Sequence, residues 1–163
     1  MENLKEQILN VIEKDAKISA KELSAMLGAE EAAVLSETAA MESDGTICAY
    51  HTLINRDRLN GDDVTALVEL RVTPQGGDGY DKIAETICMY DQVDTLYLMS
   101  GAYDFLVIVK GKTIKEISLF VSGKLASMHE VQNTTTHFIL TRYKEQGIRL
   151  KSAKTDGRMV ICP

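Results

Sequence analysis

Hydrophobic residues recur at two different periods along this chain, and the period changes between residues 56 and 63. In the first part the spacing is helical. Leu4, Ile8, Val11 and Ile12 predict an amphipathic helix over Asn3–Asp15. Ser19-Ala20-Lys21-Glu22 has the spacing of a capping box, so a second, short helix carrying Leu23 and Leu27 is expected to start there and to stop at Gly28. A third helix fits Glu30–Asp44, with Val34, Leu35, Thr38 and Met41 on one side and Gly45 as its stop. Thr46–Asn55 is rich in β-branched and aromatic residues and predicts a strand or wing. Two short helices around a tight glycine turn fit a helix-turn-helix, and spacing alone fits any small three-helix bundle equally well.

The second part alternates. Val64, Ala66, Val68, Leu70 and Val72 predict a half-buried strand ended by Pro74. Gly76-Gly77-Asp78-Gly79 reads as a turn, with Asp78 as N-cap of a helix carrying Ile83, Ala84, Ile87 and Cys88. Two strands meet at Ser100-Gly101-Ala102-Tyr103-Asp104. Thr113-Ile114-Lys115-Glu116 is a second capping box, opening a helix with Ile117, Phe120, Val121 and Leu125, and Val131–Tyr143 is the last long strand. The order β-α-β-β-α-β is the ferredoxin-like arrangement, an α+β fold with both helices on one sheet face. The other face would expose Leu67, Tyr97, Met99, Ile139 and Tyr143, which favours a twofold dimer. The expected divisions are 1–55 for a winged helix-turn-helix, 56–63 for a linker, 64–145 for the ferredoxin-like domain and 146–163 for a tail.

Composition narrows the class. With 45% hydrophobic and 26% charged residues among 163, the chain is expected to fold around real cores rather than remain disordered. No run reaches the length of a membrane span, no signal-peptide core follows the opening Glu2, Lys5, Glu6 and Gln7, and the expected address is the cytoplasm. Cys48, Cys88 and Cys162 are widely separated, and His51, His129 and His137 fall in no ligand motif, so neither a disulfide framework nor a metal or other cofactor is expected. No nucleophile–base pair or phosphate-binding glycine loop stands at motif spacing, which argues against an enzyme.

The chain resembles the Lrp/AsnC family of bacterial and archaeal transcription regulators. The resemblance lies in Ile18-Ser19-Ala20-Lys21-Glu22-Leu23-Ser24, Leu27-Gly28, Asp44-Gly45-Thr46-Ile47, Val64–Pro74, Met99–Asp104, Thr134-Thr135-Thr136-His137-Phe138 and the closing Arg158–Pro163. It implies DNA binding by the first domain. It also implies that the second is a RAM domain, which drives dimerisation and often octamers and takes amino-acid effectors between dimers beside the Gly-x-Tyr-Asp corner.

Residue chemistry gives each expectation its candidates. Asp104 suits an ammonium group, backbone N–H groups at Gly101 and Ala102 suit a carboxylate, Thr134 and Thr136 add hydroxyls, and Met99 and Tyr103 line a side-chain pocket. The alternative is that Asp104 only satisfies turn amides. Ala102 stands where many relatives have Asp. For DNA the candidates are Lys17, Lys21, Ser36, His51, Arg56 and Arg58. The third helix departs from its relatives, which typically carry Arg near Glu37, Ala39 and Ala40. It holds Glu30, Glu31, Glu37 and Glu42, and no Lys or Arg occurs from Glu22 to Asn55. Each Glu held ~4 Å from a phosphate costs on the order of 1 kcal/mol even in water. A second reading is therefore a ligand-binding oligomer whose helix-turn-helix is too acidic to bind DNA well.

Overall fold

Four side chains close the core of the first unit: Ile8, Leu23, Val34 and Met41, each 3% exposed or less. In the computed structural model, which describes residues 3–59, 63–74, 76 and 79–150, they come from α1 (Leu4–Ile12), α2 (Ala20–Leu27) and α3 (Glu31–Ser43). The helix starts are chemically marked. Ser19 Oγ accepts the Glu22 N–H at 3.2 Å, and a Glu22 carboxylate oxygen accepts the Ser19 N–H at 3.0 Å, which completes the capping box. Gly28 then ends α2 at φ 63°, a left-handed conformation that a Cβ would strain.

Two expectations for this unit need correction. Leu35 does not share the inner side of α3 with Val34 and Met41; it is 53% exposed. Thr46–Asn55 forms no strand, because among the described residues this unit supplies no second strand to pair with. Ile47 instead packs on the helical core, and its N–H reaches the Met41 carbonyl at 2.9 Å.

The second unit, 55–163, opens with a single 3-10 turn, Arg56–Arg58. Its sheet comprises β1 (Val64–Val72), β2 (Val93–Leu98), β3 (Phe105–Gly111) and β4 (Val131–Phe138), ordered β2-β3-β1-β4 with all pairs antiparallel. Helices α4 (Gly79–Cys88) and α5 (Ile114–Phe120) complete the βαββαβ unit. Alternation in β1 buries Ala66, Val68, Leu70 and Val72 against Ile83, Ile87, Phe105, Val107, Val109, Ile117 and Leu125. Tyr80 meets Phe105 edge to face, centroids 6.0 Å apart. The opposite sheet face leaves Tyr97 and Met99 exposed.

Several local expectations differ here as well. Cys88, the last residue of α4, is exposed. The box at Thr113 is half formed: Thr113 Oγ1 accepts the Glu116 N–H at 3.0 Å, but the Glu116 carboxylate turns to the Lys112 N–H at 2.8 Å. After α5 the chain widens into a π turn, Val121–Leu125, which keeps Val121 and Leu125 buried. The last strand stops at Phe138. Tyr143 instead precedes a small hairpin, β5 (Lys144–Glu145) and β6 (Ile148–Arg149), turned by Gln146 at φ 46° and Gly147 at φ 80°. The Asp78 cap, the Asn60-Gly61-Asp62 part of the linker and the tail from 151 lie outside the described residues.

Candidate functional site

The candidate residues fall in two places, one in each unit. In the helical unit α3 follows α2 across Gly28-Ala29-Glu30, and most of its length faces outward. Ser36 is exposed on it. Lys17 and Lys21 are exposed around the start of α2, and His51 is exposed after α3. Acidic groups nearby are partly engaged. Glu42 accepts the Tyr50 hydroxyl at 2.7 Å, and this bond, with some desolvation, pushes the Tyr50 pKa above its usual value. Asp44 accepts the Thr46 N–H at 2.8 Å and pairs with Lys5 at 3.3 Å. The Thr46 bond, helped by Lys5, holds its carboxyl below the usual range. Arg56 and Arg58, in the other unit, are exposed, and Arg56 pairs with Asp63 at 3.0 Å.

In the sheet unit the corner between β2 and β3 is tied to the end of β1. The Asp104 N–H donates to the Leu70 carbonyl at 2.9 Å, and the Met99 N–H to the Asp104 carbonyl at 2.7 Å. Asp104 Oδ2 accepts the Val72 N–H at 2.8 Å and Oδ1 the Tyr80 hydroxyl at 3.3 Å. Desolvation first, then the Asp104 charge, raises the Tyr80 pKa above its usual value. Among the described residues each carboxylate oxygen thus holds one donor, and a carboxylate has about four acceptor positions. Arg71 Nη2 donates to the Ala102 carbonyl. Gly101 and Ala102 are exposed, Tyr103 and Asp104 half-buried. A Cβ placed on Gly101 would meet nothing within 4 Å, so the chain's own packing does not require glycine there.

Thr134 and Thr136 pair with Leu70 and Val68, so they lie on the helix-covered face of the sheet and are half-buried. Thr134 is opposite Leu70, whose carbonyl holds the corner; Thr136 is two residues deeper. A separate cleft of about 320 Å3 opens at the other end of β1, lined by Arg56, Asp63, Lys110, Lys112 and Glu116. There Arg56 pairs with Asp63 and Lys110 with Asp94. Burial raises the Asp94 carboxyl, but the Lys110 ammonium, with the Thr95 hydroxyl and the Arg142 charge, outweighs it and leaves the pKa below the usual range. Among the described residues no His, Cys, Asp and Glu group is arranged to hold a metal ion.

Residues 65–148 match the Lrp/AsnC ligand-binding domain and residues 1–47 match a winged helix-turn-helix DNA-binding domain. The chain belongs to the Lrp/AsnC family of transcriptional regulators. It is 33% identical over 158 residues to the HTH-type transcriptional regulator YugG of Bacillus subtilis, covering 96% of this chain and 95% of that one. A Pyrococcus abyssi HTH-type transcriptional regulator is 28% identical over 145 residues, covering 89% and 95%. Among solved structures, a transcriptional regulator from Neisseria meningitidis in complex with L-Met shares the fold at TM-score 0.71 and 21% identity, covering 89% of this chain and 93% of that one. Escherichia coli AsnC does so at TM-score 0.68 and 19% identity, covering 89% and 95%.

As an Lrp/AsnC member the chain carries a helix-turn-helix DNA-binding domain and a ligand-binding domain, and family members are regulators rather than enzymes. Sequence reasoning missed the Tyr80 and Val72 partners of Asp104. Tyr80 directly follows Gly79 at the start of α4, and nothing in its spacing pairs it with a residue 24 positions later.

Proposed function

We propose that this Lrp/AsnC regulator senses a free α-amino acid at the Ser100–Asp104 corner and couples it to DNA binding through its helix-turn-helix. The observation that carries the reading is the open corner itself. Gly101 has room its own chain does not use, beside a carboxylate that among the described residues accepts only two donors. Asp104 receives the ammonium group, and the exposed backbone at Gly101 and Ala102 receives the carboxylate. Met99 and Tyr103 face the ligand side chain, whereas Thr134 and Thr136, paired with Leu70 and Val68 on the helix-covered face, lie across the sheet from Met99 and do not join that contact. The L-Met complex of the neisserial relative supports this ligand class.

The exposed sheet-face residues Tyr97 and Met99 are the chemistry of a surface covered by a second copy, so the working form is a homodimer or a higher oligomer such as an octamer, acting in the cytoplasm. Lys17, Lys21, Ser36, His51, Arg56 and Arg58 meet DNA. Because Lys17, Lys21, Arg56 and Arg58 are the four cations among these, and Arg56 already pairs with Asp63, binding is weak per domain and gains from assembly through effective concentration.

The acidic α3 favours a second reading, in which the helix-turn-helix has lost DNA affinity and serves assembly or a protein partner. Thermal melting and sedimentation with a panel of amino acids test the sensing half. An effector at a hundredfold its Kd stabilises the protein by about 2.7 kcal/mol and alters the sedimenting mass. If no amino acid changes melting or mass, the sensing proposal fails. A mobility-shift titration separates the two readings of the helical unit.

A further inference from the structure

The outward side of α3 has an unusual chemistry for a helix that enters a DNA groove. Val34 and Met41 point inward, 1% and 0% exposed. At about 100° per residue, Ala32, Ser36, Ala39 and Ser43 lie opposite them, with Leu35 on the flank. All five are exposed, and Leu35 keeps 53% of its surface. Thr38, nearer the inner side, donates its hydroxyl to the Val34 carbonyl at 2.8 Å. From Leu23 to Ile54 there is no Lys, Arg, Asn or Gln.

Those four residue types make the paired hydrogen bonds that pick out guanine and adenine in the major groove. What α3 offers instead is a leucine, several alanine methyls and two serine hydroxyls. Its Glu side chains repel the O6 and N7 acceptors of guanine. The one base feature an apolar side chain reads is the C5-methyl of thymine. We infer that α3 selects its operator through thymine methyl groups, with Leu35 as the principal contact and Ala39, one turn on, beside it. This rests on the DNA-binding reading of the helix-turn-helix and adds to it which base is read and by which residue.

The test uses the full chain at low salt to select duplexes from randomised DNA. The best duplex is then remade with deoxyuridine for thymidine, which removes the methyl and keeps every hydrogen-bonding group. Affinity should fall about fourfold for each contacted thymine, since a buried methyl contributes about 0.8 kcal/mol. Leu35→Ala, an exposed change whose folding is checked by melting, should bring the thymine-to-uracil ratio close to one, while Leu35→Met should keep it. Equal affinity for thymine and uracil duplexes, or an unchanged ratio in Leu35→Ala, overturns the methyl readout and leaves DNA binding standing. If no duplex is retained at all, the DNA-binding reading falls and this inference with it.

Discussion

The two units bury very different amounts and expose different things. Among the described residues, the sheet unit gathers thirteen buried side chains into one core, whereas the helical unit closes around four. Its longest helix, α3, gives only Val34 and Met41 to that core. A helix that hides so little of itself has most of its surface free for a partner, and its outer residues answer to that partner rather than to folding. In the sheet unit the reverse holds. Asp104 stands at the candidate site and also anchors the end of β1, so the proposed ligand contact and a structural bond fall on one residue.

The largest effects should come from the cores and should stay within their units. Phe105→Ala should destabilise the sheet unit by about 3–5 kcal/mol and Met41→Ala the helical unit by about 2–5 kcal/mol. Hydrogen exchange read by mass spectrometry reports each unit separately. Equal loss of protection in both units from either variant would mean they do not behave as separate bodies.

Next in size is the double role of Asp104. Asp104→Ala leaves the Val72 N–H without its acceptor, at a cost of about 1–3 kcal/mol. Asp104→Asn keeps an acceptor but not the charge, so its melting without ligand should stay near that of the parent while stabilisation by the amino acid disappears. If Asp104→Asn responds to the effector as the parent does, the carboxylate is structural only.

Ser19→Ala removes the cap of α2 and should cost the helical unit about 1 kcal/mol, with the sheet unit unchanged. The smallest effect is acid sensitivity. Glu22 is lowered by its bonds to the Ser19 hydroxyl and N–H, and Asp44 by its bonds to Thr46 and by Lys5. Folded values below the ordinary 4.5 and 3.8 mean that this stabilisation is present above those values and is lost as pH falls through the lowered ones. Acid melting of the helical unit should therefore flatten in Glu22→Gln.

Strands were legible wherever one face is buried: β1 alternates because its inner residues meet two helices, and its bounds follow directly. The boxes at Ser19 and Thr113 marked helix starts, though spacing does not reveal that Glu116 prefers the Lys112 N–H to that of Thr113. The inner side of α3 was misjudged at Leu35 because Ala32, Ala33, Ala39 and Ala40 give almost no hydrophobic contrast around the helix, and a shift of one residue turns the face by about 100°. The hairpin at Lys144–Arg149 escaped notice because Gln146 at positive φ is not a usual turn residue. At the candidate site the corner was visible as residue types, but its bonds to Val72 and Tyr80 depend on sheet order, which no local pattern carries.

DNA binding by this chain is tested by a mobility-shift titration of the full chain against the DNA upstream of its own coding sequence, run across salt concentration. Site-specific retention is expected at low salt. Its logarithmic salt slope should be about −2 to −4 per helix-turn-helix bound, because each chain brings about four cations to the phosphates. No retention at any salt concentration would contradict it.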